Sequence, residues 1–266
     1  MKKRIAFILL ALILSLSACS GSNDEKEGKK IVKIGVSPVP HEEIAKIAQE
    51  KLKEKDIQLE IVTFDDYVEP NLSVKDKQLD LNFFQHLPYM ETFNKEQGTK
   101  LVSLGPVHIE PIAFYSDKID SLDKLENKAE ILIPNDATNG ARALFLLEKN
   151  GLIKLKKAVE LPTLLDIEEN SKEIKFTEVE AAFITSSYKD VAGAVINSNY
   201  AINAGLNPLK DGIVIEDSES NYANILAANE DRKDDPILKE VLDAFQSQEV
   251  KDFLENEYKG AIVPAF

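Results

Sequence analysis

Residues 130–151 read EILIPNDATNGARALFLLEKNG. Glu130 to Pro134 is a short apolar run of the kind found in strands buried on both faces. A polar turn follows, and the spacing then predicts a helix from about Asn139 to Asn150 that stops at Gly151 as a C′ residue. That is a strand–turn–helix unit, and the same alternation recurs on either side of it. Ile31 to Val36 and Ile57 to Phe64 read as strands, separated by a helix over His41 to Lys55 with Ile44, Ile47, Ala48 and Leu52 on one face. Asp80 to Phe84, Lys100 to Val107 and Glu110 to Tyr115 follow as strands, the last set off by a break at Gly105-Pro106. Glu173 to Val179, Val191 to Asn197, Ile213 to Glu216 and Tyr222 to Ala228 complete the strands, and Asp235 to Asn256 is mostly helical. Such alternation is the mark of an α/β architecture, here long enough for more than one sheet. Ligands in these sheets lie beyond the carboxyl ends of the strands.

The chain has 266 residues and a formal net charge of −14, with 44% hydrophobic and 29% charged residues. Those values describe a globular protein, and the acidic balance argues against nucleic acid, which needs clustered Lys and Arg. The single cysteine excludes an intrachain disulfide and a multi-thiolate metal site. At the N-terminus, the basic Met1-Lys2-Lys3-Arg4 precedes an apolar stretch from Ile5 to Leu16, too short to cross a membrane and typical of a secretory signal. Cys19 follows Leu16-Ser17-Ala18, and Ser20 to Lys30 is a polar, charged stretch suited to a flexible tether. Residues 1–18 are thus expected to be a signal peptide and residues 19–30 a tether. Cys19 is either a spent signal residue or, as in the lipobox that Leu16-Ser17-Ala18-Cys19 resembles, a diacylated anchor. Loss of residues 1–18 removes Lys2, Lys3 and Arg4 and no acid, leaving a body at −17 that anionic head groups would repel.

Three features at strand ends carry candidate chemistry. Phe83-Phe84-Gln85-His86-Leu87-Pro88-Tyr89 packs three aromatics and an imidazole into seven residues at a strand-to-helix corner, where Pro88 suits the first helical turn. These rings either fill core or wall a pocket with His86 as its polar tip, and Tyr67, at another strand end, could join the wall. Second, Thr138 is an N-cap candidate, and Arg142 falls in the first helical turn in register with Phe145 and Leu146. A cation there opposes the helix dipole. Only Arg4, Arg142 and Arg232 break a run of lysines, so the planar fork of Arg142 suggests bidentate carboxylate recognition, or else a pair with a structural acid. Arg232, among Glu230, Asp231, Asp234 and Asp235, reads as solvated charge. Third, Asn197 and Asn224 interrupt apolar strands, where a buried amide needs partners.

In order along the chain, Ser37-Pro38-Val39-Pro40-His41-Glu42-Glu43-Ile44, Asp66-Tyr67-Val68-Glu69-Pro70-Asn71, Phe84-Gln85-His86-Leu87-Pro88-Tyr89, Pro134-Asn135-Asp136 with Asn139 and Arg142, Ala194-Val195-Ile196-Asn197 and Tyr222-Ala223-Asn224 resemble the NlpA-type methionine-binding lipoproteins. The similarity runs from about Ile31 to the C-terminus. It implies a two-lobed type II periplasmic-binding-protein fold with hinge strands and an interlobe ligand cleft. Residues 31–112 plus 222–266 would form lobe 1 and residues 113–221 lobe 2, with crossings near Pro111 to Tyr115 and Tyr222 to Ala228. The resemblance implies that Tyr67, Phe84, His86 and Tyr89 cage a thioether side chain, and that Asn139, Arg142, Asn197 and Asn224 hold the amino acid's backbone groups. It implies lipidation at Cys19 on the outer side of the bacterial cell membrane, with that anchor as the sole membrane contact. Partners would be methionine and an ABC importer's permease and ATPase; the chain would be a monomer with no cofactor, no catalytic residue and no resident metal. One departure stands out: where relatives commonly carry Leu-Pro-Arg-Ser after a Glu-Ala pair, this chain reads Glu180-Ala181-Ala182-Phe183-Ile184-Thr185-Ser186-Ser187.

Other classes make different demands. D-methionine, a methionine-containing dipeptide or another small amino acid would suit the same residues. A metal-capture lipoprotein would use His41, His86, His108 and scattered carboxylates, although their spacing suggests no ligand helix. A dehydratase on this fold would need an acid/base pair, and the chain has no Gly-x-Ser-x-Gly elbow.

Overall fold

The computed structural model describes residues 30–217 and 221–266. The expected signal peptide, Cys19 and the expected tether up to residue 29 lie outside the described residues. No helix among the described residues is long and apolar enough to cross a membrane.

Among the described residues, thirteen strands form two large sheets and a hairpin. Strands β1 (Lys30–Val36), β2 (Ile57–Thr63), β3 (Leu81–His86) and β4 (Leu101–Ile109) enter the first sheet. The chain then crosses into the second sheet with β5 (Ala113–Tyr115), β6 (Glu130–Pro134), β9 (Lys175–Val179), β10 (Gly193–Ile196) and β11 (Val214–Ile215), while β7 (Lys154–Leu155) and β8 (Ile167–Glu169) pair as the hairpin. It returns to the first sheet with β12 (Ala223–Asn229) and β13 (Val263–Pro264). The orders are β13-β4-β12-β3-β1-β2 and β11-β5-β10-β6-β9. In each sheet parallel pairs (β1 with β3; β6 with β9 and with β10) sit beside antiparallel strands. This two-lobed α/β arrangement is the expected fold class.

Burial explains the patterning. Ile34, Val36, Leu81 and Phe83 on the first sheet pack with Ile44, Ala48 and Leu52 of the helix Glu43–Lys53 and with Leu238, Val241 and Phe245 of the helix Pro236–Phe245. In the second sheet, Ile131, Ile133 and Val195 pack with Ala143, Leu144 and Leu147 of the helix Ala137–Lys149, and Leu132, Ala194 and Ile196 cover the other face. Gly151 ends that helix in the left-handed region at φ 74°, as the C′ reading requires.

Four local expectations need correction. β4 runs straight through Gly105-Pro106, because register shifts against β12 on either side of Ile225 and Leu226 absorb the proline's missing N–H. Asp136, not Thr138, caps the helix Ala137–Lys149: its carboxylate accepts the Asn139 N–H at 2.9 Å. Phe145 is 37% exposed, so it does not share the buried face with Leu146. Arg232 is no solvated charge, since its guanidinium clasps Asp80 across 152 residues of chain and Asp235 at 2.6 Å.

Candidate functional site

The strand-to-helix corner after β3 is set by two local devices. His86 is the N-cap of the helix Leu87–Gln97, and its Nδ1 accepts the Tyr89 N–H at 3.1 Å. Beneath it, the buried amides of Asn71, Asn82 and Gln85 close a network: Asn71 Nδ2 donates to Gln85 Oε1 at 2.9 Å, and Gln85 Nε2 donates to Asn71 Oδ1 at 2.7 Å and Asn82 Oδ1 at 2.9 Å. A satisfied buried network of this kind specifies one arrangement of the strand end. With Nδ1 occupied as an acceptor, the neutral ring carries its proton on Nε2 and donates to Asn139 Oδ1 at 3.2 Å. Burial, and then the charge of Arg142, push the His86 pKa down to about 3, so the ring is neutral at physiological pH. Both its nitrogens are engaged, which leaves no lone pair for acid–base catalysis.

The rings gather around this corner. Tyr67 lies 5.7 Å from Phe84, 5.9 Å from Tyr89 and 5.0 Å from Tyr200, and Phe84 meets Tyr89 edge-on at 5.9 Å. Their hydroxyls are tied down: Tyr67 donates to Asn199 Oδ1 at 2.7 Å and Tyr89 to the Tyr67 carbonyl at 3.0 Å.

Opposite the rings stands the N-terminal turn of the helix Ala137–Lys149. Asn139 is clamped by Asp136, to which its Nδ2 donates at 3.0 Å to each oxygen. Its Oδ1 accepts from Asn197 Nδ2 at 2.9 Å as well as from His86. Arg142 is 4% exposed. Its Nε and Nη2 fork the carboxylate of Glu216 at 3.1 and 2.5 Å, Nη2 also donates to the Glu110 carbonyl at 3.0 Å, and the guanidinium carbon sits 4.2 Å from the Tyr222 ring centre. Glu216 thus neutralises the cation that opposes the helix dipole, and the bidentate edge already has an acid. Among the described residues the Nη1 edge makes only a long 3.4 Å contact, to Asn139 Oδ1.

Tyr67, Phe84, His86, Tyr89, Asn139, Arg142, Asn197 and Asn224 all line one cavity, with Gln85, Glu110, Ser198 and Asn199. Its free volume is about 20 Å³, the scale of one water. Asn197 Oδ1 is buried there without a partner among the described residues, and Asn224 Oδ1 lies 3.3 Å from His41 Nε2. Glu110 escaped sequence reading. Its only local signal was the two-residue spacing from His108, which puts both side chains on one side of an extended segment. Ser198 and Asn199 lie just past the Asn197 strand end. The Phe183 stretch forms the helix Ala181–Ser187, with Phe183 59% exposed and none of its residues lining the cavity.

The family model for NlpA lipoproteins matches residues 32–266. The chain belongs to the NlpA lipoprotein family. Over 257 residues it is 45% identical to the D-methionine-binding lipoprotein MetQ of Salmonella typhi, covering 95% of this chain and 94% of that protein. It is similar to the crystal structure of a methionine binding protein, MetQ, with a TM-score of 0.86 at 43% identity over 89% of this chain and 98% of the other. A nutrient binding protein from Burkholderia cenocepacia, solved bound to methionine, superposes with a TM-score of 0.86 at 41% identity over 88% of this chain and all of the other.

Proposed function

We propose that this NlpA-family chain is the substrate-binding component of an ABC importer and captures methionine or a close derivative such as D-methionine or a methionine-containing dipeptide. The carrying observation is that four rings and four polar side chains, drawn from 158 positions of sequence between Tyr67 and Asn224, line a single cavity. Tyr67, Phe84, Tyr89 and the neutral His86 form an apolar, polarizable wall, and a thioether gains roughly 0.3–1.5 kcal/mol per aromatic contact. Across from it, the Nη1 edge of Arg142 and the amides of Asn139, Asn197 and Asn224 supply the donors and acceptors that an amino acid's carboxylate and ammonium need. Loss of a buried charge partner costs about 2–5 kcal/mol, so affinity rests on Arg142 and specificity on the rings.

The free volume is far smaller than an amino acid, so capture requires the two lobes to part and close again. We place lobe 1 at residues 31–112 plus 222–266 and lobe 2 at 113–221, with the two crossings as the hinge. In this reading Cys19 carries the lipid that holds a monomeric body outside the cell membrane, where a permease and its ATPase receive the ligand. The chain's work is capture, without catalysis.

Mass analysis of the molecule that co-purifies with the protein, followed by melting with added ligand, tests this. A ligand at 100 times its Kd adds roughly 2.7 kcal/mol, a clear rise in Tm. No rise with L-methionine, D-methionine or glycyl-methionine, together with a rise on zinc, would replace amino-acid capture by metal capture.

A further inference from the structure

Glu110 is the one acid among the described residues lining the cavity. It is 6% exposed, and its Oε1 lies 2.7 Å from His108 Nε2 and 3.3 Å from His41 Nε2. Both imidazoles are buried, and desolvation pushes their pKa values down to about 3 for His108 and about 4 for His41, so both are neutral. His108 donates to the carboxylate, while His41, whose Nε2 is hydrogen-bonded to Asn224 Oδ1, faces it; neither neutral ring cancels its charge. Burial raises the Glu110 pKa, and Arg142 counters this only through space, since it touches Glu110 at the backbone carbonyl and gives its fork to Glu216. The lining therefore holds one cation, already paired with Glu216 outside the lining, and one carboxylate, Glu110, that no cationic side chain among the described residues contacts directly. A buried charge left without a counter-charge is costly. The same cavity offers Asn197 Oδ1, a second buried acceptor short of a donor.

We propose that Glu110 receives the ligand's ammonium group, with His108 holding its carboxylate in place, so that the cavity selects a free α-amino group. This rests on the amino-acid reading above and assigns that site a residue absent from it. Arg142 and Glu110 then divide the zwitterion between them, the cation side taking the carboxylate and the anion side the ammonium.

The His41, His108 and Glu110 donor atoms also lie within 4.8 Å of one another, as a metal site would need. Two observations favour the ammonium. Ligands of one tetrahedral zinc at about 2.0–2.1 Å stand roughly 3.3 Å apart, whereas His108 Nε2 and Glu110 Oε1 are at hydrogen-bond distance, 2.7 Å. Metal-bound histidines also pass their second ring N–H to a carboxylate or carbonyl, and the Nδ1 atoms of both rings are buried without a partner among the described residues.

The test is calorimetry with L-methionine and with 4-(methylthio)butanoate, which keeps the thioether and the carboxylate and lacks the ammonium. The wild type should bind the des-amino compound about 30-fold or more weakly than L-methionine. Glu110→Gln should lose about 30-fold or more for L-methionine and bind the des-amino compound as well as the wild type or better. The assignment is overturned if the variant keeps its L-methionine affinity, or if it loses both ligands equally. A wild type that binds both ligands alike overturns it with no variant needed. Zinc alone raising the Tm of the wild type and not of Glu110→Gln would make the trio a metal site and overturn it. In each of these cases methionine capture can stand, whereas a wild type blind to L-methionine, D-methionine and glycyl-methionine overturns the amino-acid reading as well.

Discussion

The two walls of the cavity are built on different principles. The wall from the first sheet is mostly rings held by packing and by hydroxyl contacts to neighbouring chain, with the centres of Tyr67, Phe84 and Tyr89 5.7–5.9 Å apart. The wall facing it is a charged and amide network in which nearly every donor has an assigned acceptor, from Asp136 through Asn139 and Asn197 to Arg142 and Glu216. Packing tolerates adjustment, since lost contacts are many and small. A buried polar network does not, because one missing partner leaves the rest unsatisfied. On this contrast, damage to the polar wall abolishes binding, while damage to the ring wall changes which ligand is preferred.

The sharpest way to break that contrast is Arg142→Lys. A point charge replaces a fork that engages Glu216 and the Glu110 carbonyl at once. Calorimetry should show affinity for L-methionine falling about 30-fold or more. Retained binding would make Arg142 a purely structural partner of Glu216.

Acid should loosen both walls next. The fold lowers His86 to about 3, His41 to about 4 and His108 to about 3 from an ordinary 6.5. Stability from these neutral rings is complete above pH 6.5. It drains as pH falls toward 4, because the unfolded chain takes up protons that the fold refuses. The slope is about 1.4 kcal/mol per pH unit for each such histidine. Glu110, whose pKa is raised by burial, works in the opposite sense. Tm should drop between pH 7 and pH 5, and His86→Gln should make the drop shallower by one histidine's share. An unchanged slope would mean that His86 is not held neutral.

Phe84→Leu probes the ring wall alone. Affinity for L-methionine should fall by about 10-fold or less, and the preference for methionine over norleucine should shrink. A loss as large as that from Arg142→Lys would erase the distinction between the walls. The smallest effect belongs to the other arginine of the body. Arg232→Lys weakens a part-exposed clasp on Asp80 and Asp235 remote from the cavity lining. It should cost about 1 kcal/mol or less in denaturant unfolding and leave affinity unchanged.

The two arginines show where sequence reading reaches its end. Scarcity of Arg and its place in a first helical turn drew attention to Arg142, and the structure buries it in the cavity wall. The same scarcity said nothing of Arg232, whose partner Asp80 is distant in sequence and invisible to local charge counting. The aromatic corner at Phe84 to Tyr89 was legible because its composition is unusual and Pro88 marks the turn. Thr138 was a poorer guide than Asp136, since either can cap and only the backbone path chooses.

Sequence alone determined the α/β alternation and the residue types of both walls, because periodicity and composition are local properties. Tertiary structure decided what those residues face. Glu216 meets Arg142 across 74 residues and Asn224 meets His41 across 183. Glu110 acquires a role only because β4, β12 and the segment around His41 converge there. Such contacts follow from the packing of two sheets, and no spacing along the chain encodes them.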